Sequence, residues 1–153
     1  MTVIVRPAPP EHFAWLAERA HIVVNENFRA MEAISGYRIL AMVGFDGWTP
    51  ASVMLHIALS HPAALRHVLV PAFRLAFDPP NAVVPGCGKR LINLTVLSSN
   101  TRSLALVRAL GFRETHRIRG GWSKGVDIVL FEMRRRDCRW VNQDGQQEES
   151  WAA

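Results

Sequence analysis

The run LINLTVLSSNTRSLALVRALGF, Leu91 to Phe112, decides the fold. Leu91, Asn93, Thr95 and Leu97 alternate with Ile92, Leu94 and Val96, so residues 90–97 have the two-residue period of a strand. The pattern then changes. Ser99 or Asn100 offers a side-chain oxygen to cap a helix running to Leu110, and Gly111 supplies the left-handed residue that ends it.

Downstream, residues 112–119 and 127–134 read as two strands joined by the turn GGWSKG, residues 120–125. Residues 141–153 are polar and acidic apart from Trp151 and are expected to form a mobile tail after a single domain spanning residues 1–140. Upstream, residues 78–89 are rich in proline and glycine and read as a loop. Before it, Leu65, Val68, Leu69, Ala72, Phe73, Ala76 and Phe77 share one helical face. Pro71 interrupts that face, and a missing N–H and a ring clash costing about 3 kcal/mol predict a kink or break near residues 67–71.

Two apolar runs, residues 37–45 and 52–59, flank Asp46-Gly47 and read as an antiparallel hairpin. Residues 25–35 read as a helix closed by Gly36. Phe13, Leu16, Ala17, Ala20 and Val24 form an apolar stripe on a helix that follows Pro9-Pro10, and residues 2–6 form a short first strand. A strand, helix, strand unit between residues 52 and 97 places its two strands parallel. The expected fold class is therefore α/β (α+β), a mixed, mostly antiparallel sheet with a central parallel pair flanked by helices.

The 153 residues, 49% hydrophobic, can bury one sizeable core. No run approaches the roughly 18 uninterrupted apolar residues of a membrane span, and residues 1–10 lack the pattern of a secretory leader, so a cytoplasmic protein is expected. Cys87 and Cys138 are expected as free thiols and carry no metal-binding spacing. The net charge of +5, with 18 basic residues against 13 acidic, suits an anionic partner, either a phosphorylated cofactor or a nucleic acid.

The segment from Leu91 to Met133 resembles the second half of a GCN5-related N-acetyltransferase (GNAT) domain. The resemblance rests on a strand, then Asn100, Ser103, Leu106, Leu110 and Gly111-Phe112, then a basic hairpin ending in Asp127 to Arg134. The closing run Met133 to Trp140 is also similar to divergent acetyltransferase-like proteins encoded by bacteriophages, which would place the chain in a host cytoplasm. The resemblance implies parallel strands that splay to admit acetyl-CoA and direct acetyl transfer to an amine, on a small molecule or a protein. A homodimer is compatible with it.

Two positions depart from the family. Its phosphate loop carries glycines whose bare amides cradle pyrophosphate at a helix start, whereas here the equivalent residues, Ser60 to Arg66, hold none. The tyrosine that many members place seven residues after the asparagine, as proton donor to the departing thiolate, is Val107.

The resemblance implies cofactor contacts at Ile57, Ala58, Leu59, Ser60, His61, Ala63, Ala64, Leu65, Arg66, Asn100, Arg102 and Ser103. An ordinary helix cap competes for Ser60 to Arg66, and an N-cap for Asn100, although one asparagine can serve both purposes. His56 lies mid-strand on a face with Met54 and Ala58, where it is either a base for the acceptor amine or a satisfied structural histidine. Arg113, Arg117, Arg119 and Arg134 to Arg136, with Trp122 and Trp140, pose a nucleic-acid surface against an ordinary solvated one. The acyltransferase reading therefore has two rivals, a binding module on the same fold and a phage-type modifier of nucleic acid.

Overall fold

A computed structural model describes residues 2–141; the tail expected over residues 141–153 lies outside the described residues beyond Val141. The chain divides after Lys89 into two compact units.

The first unit contains β1 (Ile4–Pro7), a 3-10 turn (Pro10–His12), α1 (Phe13–Ala20), β2 (Arg29–Ser35), β3 (Arg38–Asp46), β4 (Ser52–Leu59), a second 3-10 turn (Pro62–Ala64) and α2 (Leu65–Phe77). Its strands pair antiparallel in the order β1-β2-β3-β4. Alternation sends Ala30, Met42 and Ala58 into a cluster with Ala8, Leu16 and Phe28, edged by Phe13, Trp15 and Val24. The other set, including Val43, Phe45, Val53 and Leu55, is equally buried, so both faces of this sheet need cover. α1 packs on β4, and α2 packs on β2 and β3.

Two expectations fail here. Residues 29–35 form a strand rather than part of a helix, laddered to β1 through Ile4↔Ile34 and Arg6↔Glu32 and to β3 through Glu32↔Met42. Alanine, methionine and glutamate favour helix locally, but pairing on both edges and burial of Ala30, Glu32, Ala33 and Ile34 override that preference. Gly36 closes a two-residue hairpin with φ of 59°, where a left-handed first position calls for glycine.

Of the kink or break expected near residues 67–71, the break does not occur: α2 runs through Pro71 from Leu65 to Phe77. Seven buried apolar side chains hold the helix, and at about 1.5–3 kcal/mol for each large one they outweigh the roughly 3 kcal/mol cost of proline. The following loop caps the helix: the amides of Cys87 and Lys89 donate to the carbonyls of Leu75 and Ala76 at 2.8 and 2.9 Å.

The second unit contains β5 (Leu91–Leu97), α3 (Thr101–Leu110), β6 (Arg113–Ser123) and β7 (Val126–Arg134), in the strand order β5-β7-β6. Ile92, Leu94 and Val96 lie opposite Met133, Phe131 and Val129, and all six are buried. Gly111 ends α3 with φ of 106°. β6 runs farther than the sequence pattern indicates. The ladder is irregular between Ile118 and Ser123, with Gly120 left-handed, and the chain reverses only at residues 124–125. The fold class is the mixed α/β one expected: mostly antiparallel sheet with a central parallel strand pair and flanking helices. Among the described residues no helix is long and apolar enough to cross a membrane.

Candidate functional site

β4 delivers the chain into the segment proposed as a phosphate cradle. The amides of Ser60 and His61 both donate to the Leu40 carbonyl, at 2.9 and 3.1 Å, and the Ser60 hydroxyl donates to the Ile39 carbonyl at 2.8 Å. Pro62 has no N–H. The Ala64 amide donates to the His61 carbonyl, and that of Leu65 to Pro62, closing the 3-10 turn. Five of the seven residues in Ser60 to Arg66 thus have no N–H left for a ligand. What remains are the Ala63 and Arg66 amides, a narrower anion site than a glycine loop provides. Arg66 is exposed and its Nε lies 3.3 Å from His67 Nε2. Ala58, Ala64 and Leu65 are buried, so they could meet a cofactor only through backbone atoms, while Ile57 and Leu59 are half-buried on the strand.

In the second unit, Asn100 is the N-cap of α3, its Oδ1 accepting from the Ser103 amide at 3.1 Å. The carboxamide N–H groups lie outside that bond and can still donate to a ligand. Arg102 is exposed and Ser103 half-buried beside it. Val107 is 4% exposed and contributes an apolar side chain to the buried face of α3, so this position offers no proton donor.

His56 has a partner that sequence reading missed. Its Nε2 lies 2.7 Å from Asp46 Oδ1, with both side chains 15% exposed. Asp46 reads from sequence as the start of a turn, yet it is the last residue of β3, paired with Met54; the turn itself is residues 47–51. Counting the alternation back from the turn would have shown Met42, Gly44 and Asp46 on the face of Met54, His56 and Ala58. Gly44 lies directly opposite His56, and a Cβ there would run into Phe28 Cζ and Leu16 Cδ2.

Phe28 also lines a cavity of about 630 Å³ beside α1, walled by Phe13, Val24 and Met31 with Glu26 and Arg29 among its lining. Arg29 turns its Nη1 to Cys87 Sγ at 3.2 Å. Both cysteines are free thiols, and burial pushes Cys138 up to about 11.

The basic hairpin is not a uniform cationic patch. Arg117 pairs with Glu114 at 3.0 Å and lies 3.7 Å from Asp127, and Arg134 lies 3.7 Å from Glu132. The Arg117 hydrogen bond holds the Glu114 carboxyl below the usual carboxylate range. Arg135 is buried, and Trp140 Nε1 donates to the Leu110 carbonyl.

No protein-family model and no curated protein sequence matches the chain. Solved structures do. Spermidine/spermine N-acetyltransferase SpeG from Vibrio cholerae, solved with manganese ions, aligns at a TM-score of 0.68 and 12% identity over 93% of this chain and 96% of that one. A protein described as a GNAT-family acetyltransferase from Desulfovibrio desulfuricans aligns at 0.62 and 14% identity, covering 87% of this chain and 99% of that one. YncA from Salmonella typhimurium, described as an acetyltransferase and solved with its cofactor acetyl-CoA, aligns at 0.59 and 16% identity over 86% and 93%. At these identities the likeness is one of fold, and the fold of this chain is that of the GCN5-related N-acetyltransferases.

Proposed function

We propose that the chain is an acetyl-CoA-dependent N-acyltransferase, a single domain over residues 1–140 that moves an acetyl group directly to an amine. The observation that carries the reading is β4 running through a tight turn into α2, on a fold shared with a protein solved with acetyl-CoA. The residues fit the cofactor through a reduced set of donors. The Ala63 amide, with His61 and Arg66, would take the pyrophosphate, and backbone of Ile57 to Leu59 the pantetheine. Within the second unit, Asn100, Arg102 and Ser103 are the residues that the family resemblance implies for the cofactor. Acetyl-CoA supplies an activated thioester.

His56 would accept the proton that the amine sheds, while Val107 leaves protonation of the thiolate to water. Positioning and backbone N–H groups would then supply most of the acceleration. The cavity beside α1 supports an acceptor with an apolar body, because its lining is largely apolar, and Glu26 and Arg29 both lie in that lining, so it selects neither sign of charge.

Calorimetric titration with acetyl-CoA and CoA, repeated with Arg66→Glu, tests the reading. Micromolar binding lost in the variant is expected; no heat from wild type near millimolar ligand would sink it. The occupied amides of Ser60 and His61 and the apolar Val107 favour a second reading, a binding module that has kept the fold without acyl transfer. DNA binding that weakens steeply with salt would direct that reading to nucleic acid, and its absence at low salt would exclude that partner.

A further inference from the structure

We propose that Asp46 is the positioning residue of a histidine–aspartate pair in which His56 presents Nδ1 as the base toward the acceptor amine. The proposal rests on the acetyltransferase reading and names the group that would hold its base in place.

A neutral imidazole has one N–H and one lone pair, and the hydrogen bond it makes decides which nitrogen holds which. A carboxylate accepts but does not donate, so the 2.7 Å contact between Asp46 Oδ1 and His56 Nε2 places the proton on Nε2 and leaves the Nδ1 lone pair unused. Register holds the pair together: Asp46 is one alternate position along β3 from Gly44, and Gly44 faces His56 across the ladder. At 15% exposure each, the two side chains are shielded enough for the carboxylate to matter and still open to a small reactant.

Other charges on the packed elements are turned elsewhere or unengaged. On α1, which packs on β4, the Arg19 guanidinium donates to the Trp15 carbonyl and stacks on its ring, and Glu18 makes no hydrogen bond or ion pair among the described residues. Phe28, which lines the cavity beside α1, lies against Gly44, the cross-strand partner of His56.

In the transfer step, a bond forms between the amine nitrogen and the thioester carbonyl carbon as the carbon–sulfur bond breaks, the electron pair staying with sulfur. The proton displaced from nitrogen passes to His56 Nδ1, and the adjacent carboxylate stabilises the resulting imidazolium.

Two measurements test the pair, one of them independent of turnover. In nitrogen-15 spectra, the neutral His56 ring of the wild type should be the Nε2–H tautomer, and Asp46→Asn should mix the tautomers. Against a panel of amines with acetyl-CoA, Asp46→Asn should lower kcat roughly 10- to 100-fold and leave KM for acetyl-CoA unchanged. His56→Gln should lower kcat at least as far. A wild-type Nδ1–H tautomer overturns the proposal, as does an Asp46→Asn variant with unaltered kcat. Acetyl-CoA binding without transfer to any amine overturns it too. Failure of the parent reading looks different: wild-type protein then takes up no acetyl-CoA at all.

Discussion

The first unit contains two histidine–carboxylate pairs of the same length, and their surroundings assign them different work. Glu32 is fully buried, and both its oxygens are engaged: Oε1 by Arg6 Nε at 2.8 Å and Oε2 by His12 Nδ1 at 2.7 Å. Asp46 meets His56 at the same 2.7 Å but is 15% exposed and has that one partner among the described residues. A buried carboxylate with every oxygen satisfied ties β1 and the turn before α1 to β2. A shielded carboxylate with one partner orients a ring whose other nitrogen stays available.

The sharpest way to break this contrast is to strip Glu32 of its partners. Arg6→Ala with His12→Ala should cost about 3 kcal/mol, because a buried carboxylate is left uncompensated; urea unfolding measures it. A loss below about 1 kcal/mol would mean that water reaches Glu32 and the pair is no different in kind from Asp46 and His56.

Cys138 shows what burial does to an ionisable group when the nearby Arg139 and Arg135 charges are too weak to offset it. Its thiol is raised from 9.0 to about 11, so the folded state keeps a proton that the unfolded chain gives up. Stability from this group is complete below pH 9, falls as pH rises from 9 to about 11, and is then level. The loss should reach about 2 kcal/mol. Subtracting the stability curve of Cys138→Ala from that of the wild type isolates the effect, and a flat difference would contradict it.

Gly44 is the next test, since a side chain there invades the space of Phe28 and Leu16 opposite His56. Both obstructing atoms are side-chain tips, so Gly44→Ala should cost about 1.5 kcal/mol rather than unfold the protein. It should also move the His56 ring signals, while leaving those of His12 in place.

How much of this was legible follows from what local sequence encodes. The bracket from Asn100 to Gly111 was legible because a cap and a left-handed glycine act within one turn of the chain. β2 was not, since its strand state comes from partners on both edges, and neither was the unbroken α2, where a buried face overrides Pro71. The candidate site divides the same way. Asn100 as a cap is local, whereas the loss of the Ser60 and His61 amides to Leu40 depends on a strand twenty residues earlier. Asp46 was hidden because Asp-Gly is a strong turn signal, and only the ladder register shows that the aspartate belongs to the strand.

The smallest effect discriminates best between the two pairs, because it uses matched substitutions that change charge and not size. In Glu32→Gln the oxygen stays with Arg6, a donor in any protonation state, and the new NH₂ faces His12, whose ring must offer its Nδ1 lone pair; both buried contacts lose the carboxylate charge, so the cost should be about 2 kcal/mol. In Asp46→Asn the amide can meet Nε2 through its oxygen or its NH₂, whichever tautomer the ring takes, and its other end faces no partner among the described residues, so the cost should be about 0.5 kcal/mol. Thermal unfolding of the two variants side by side measures the difference. Equal losses would mean that Asp46 is as much a structural clasp as Glu32, and His56 would then be held for stability rather than for proton transfer.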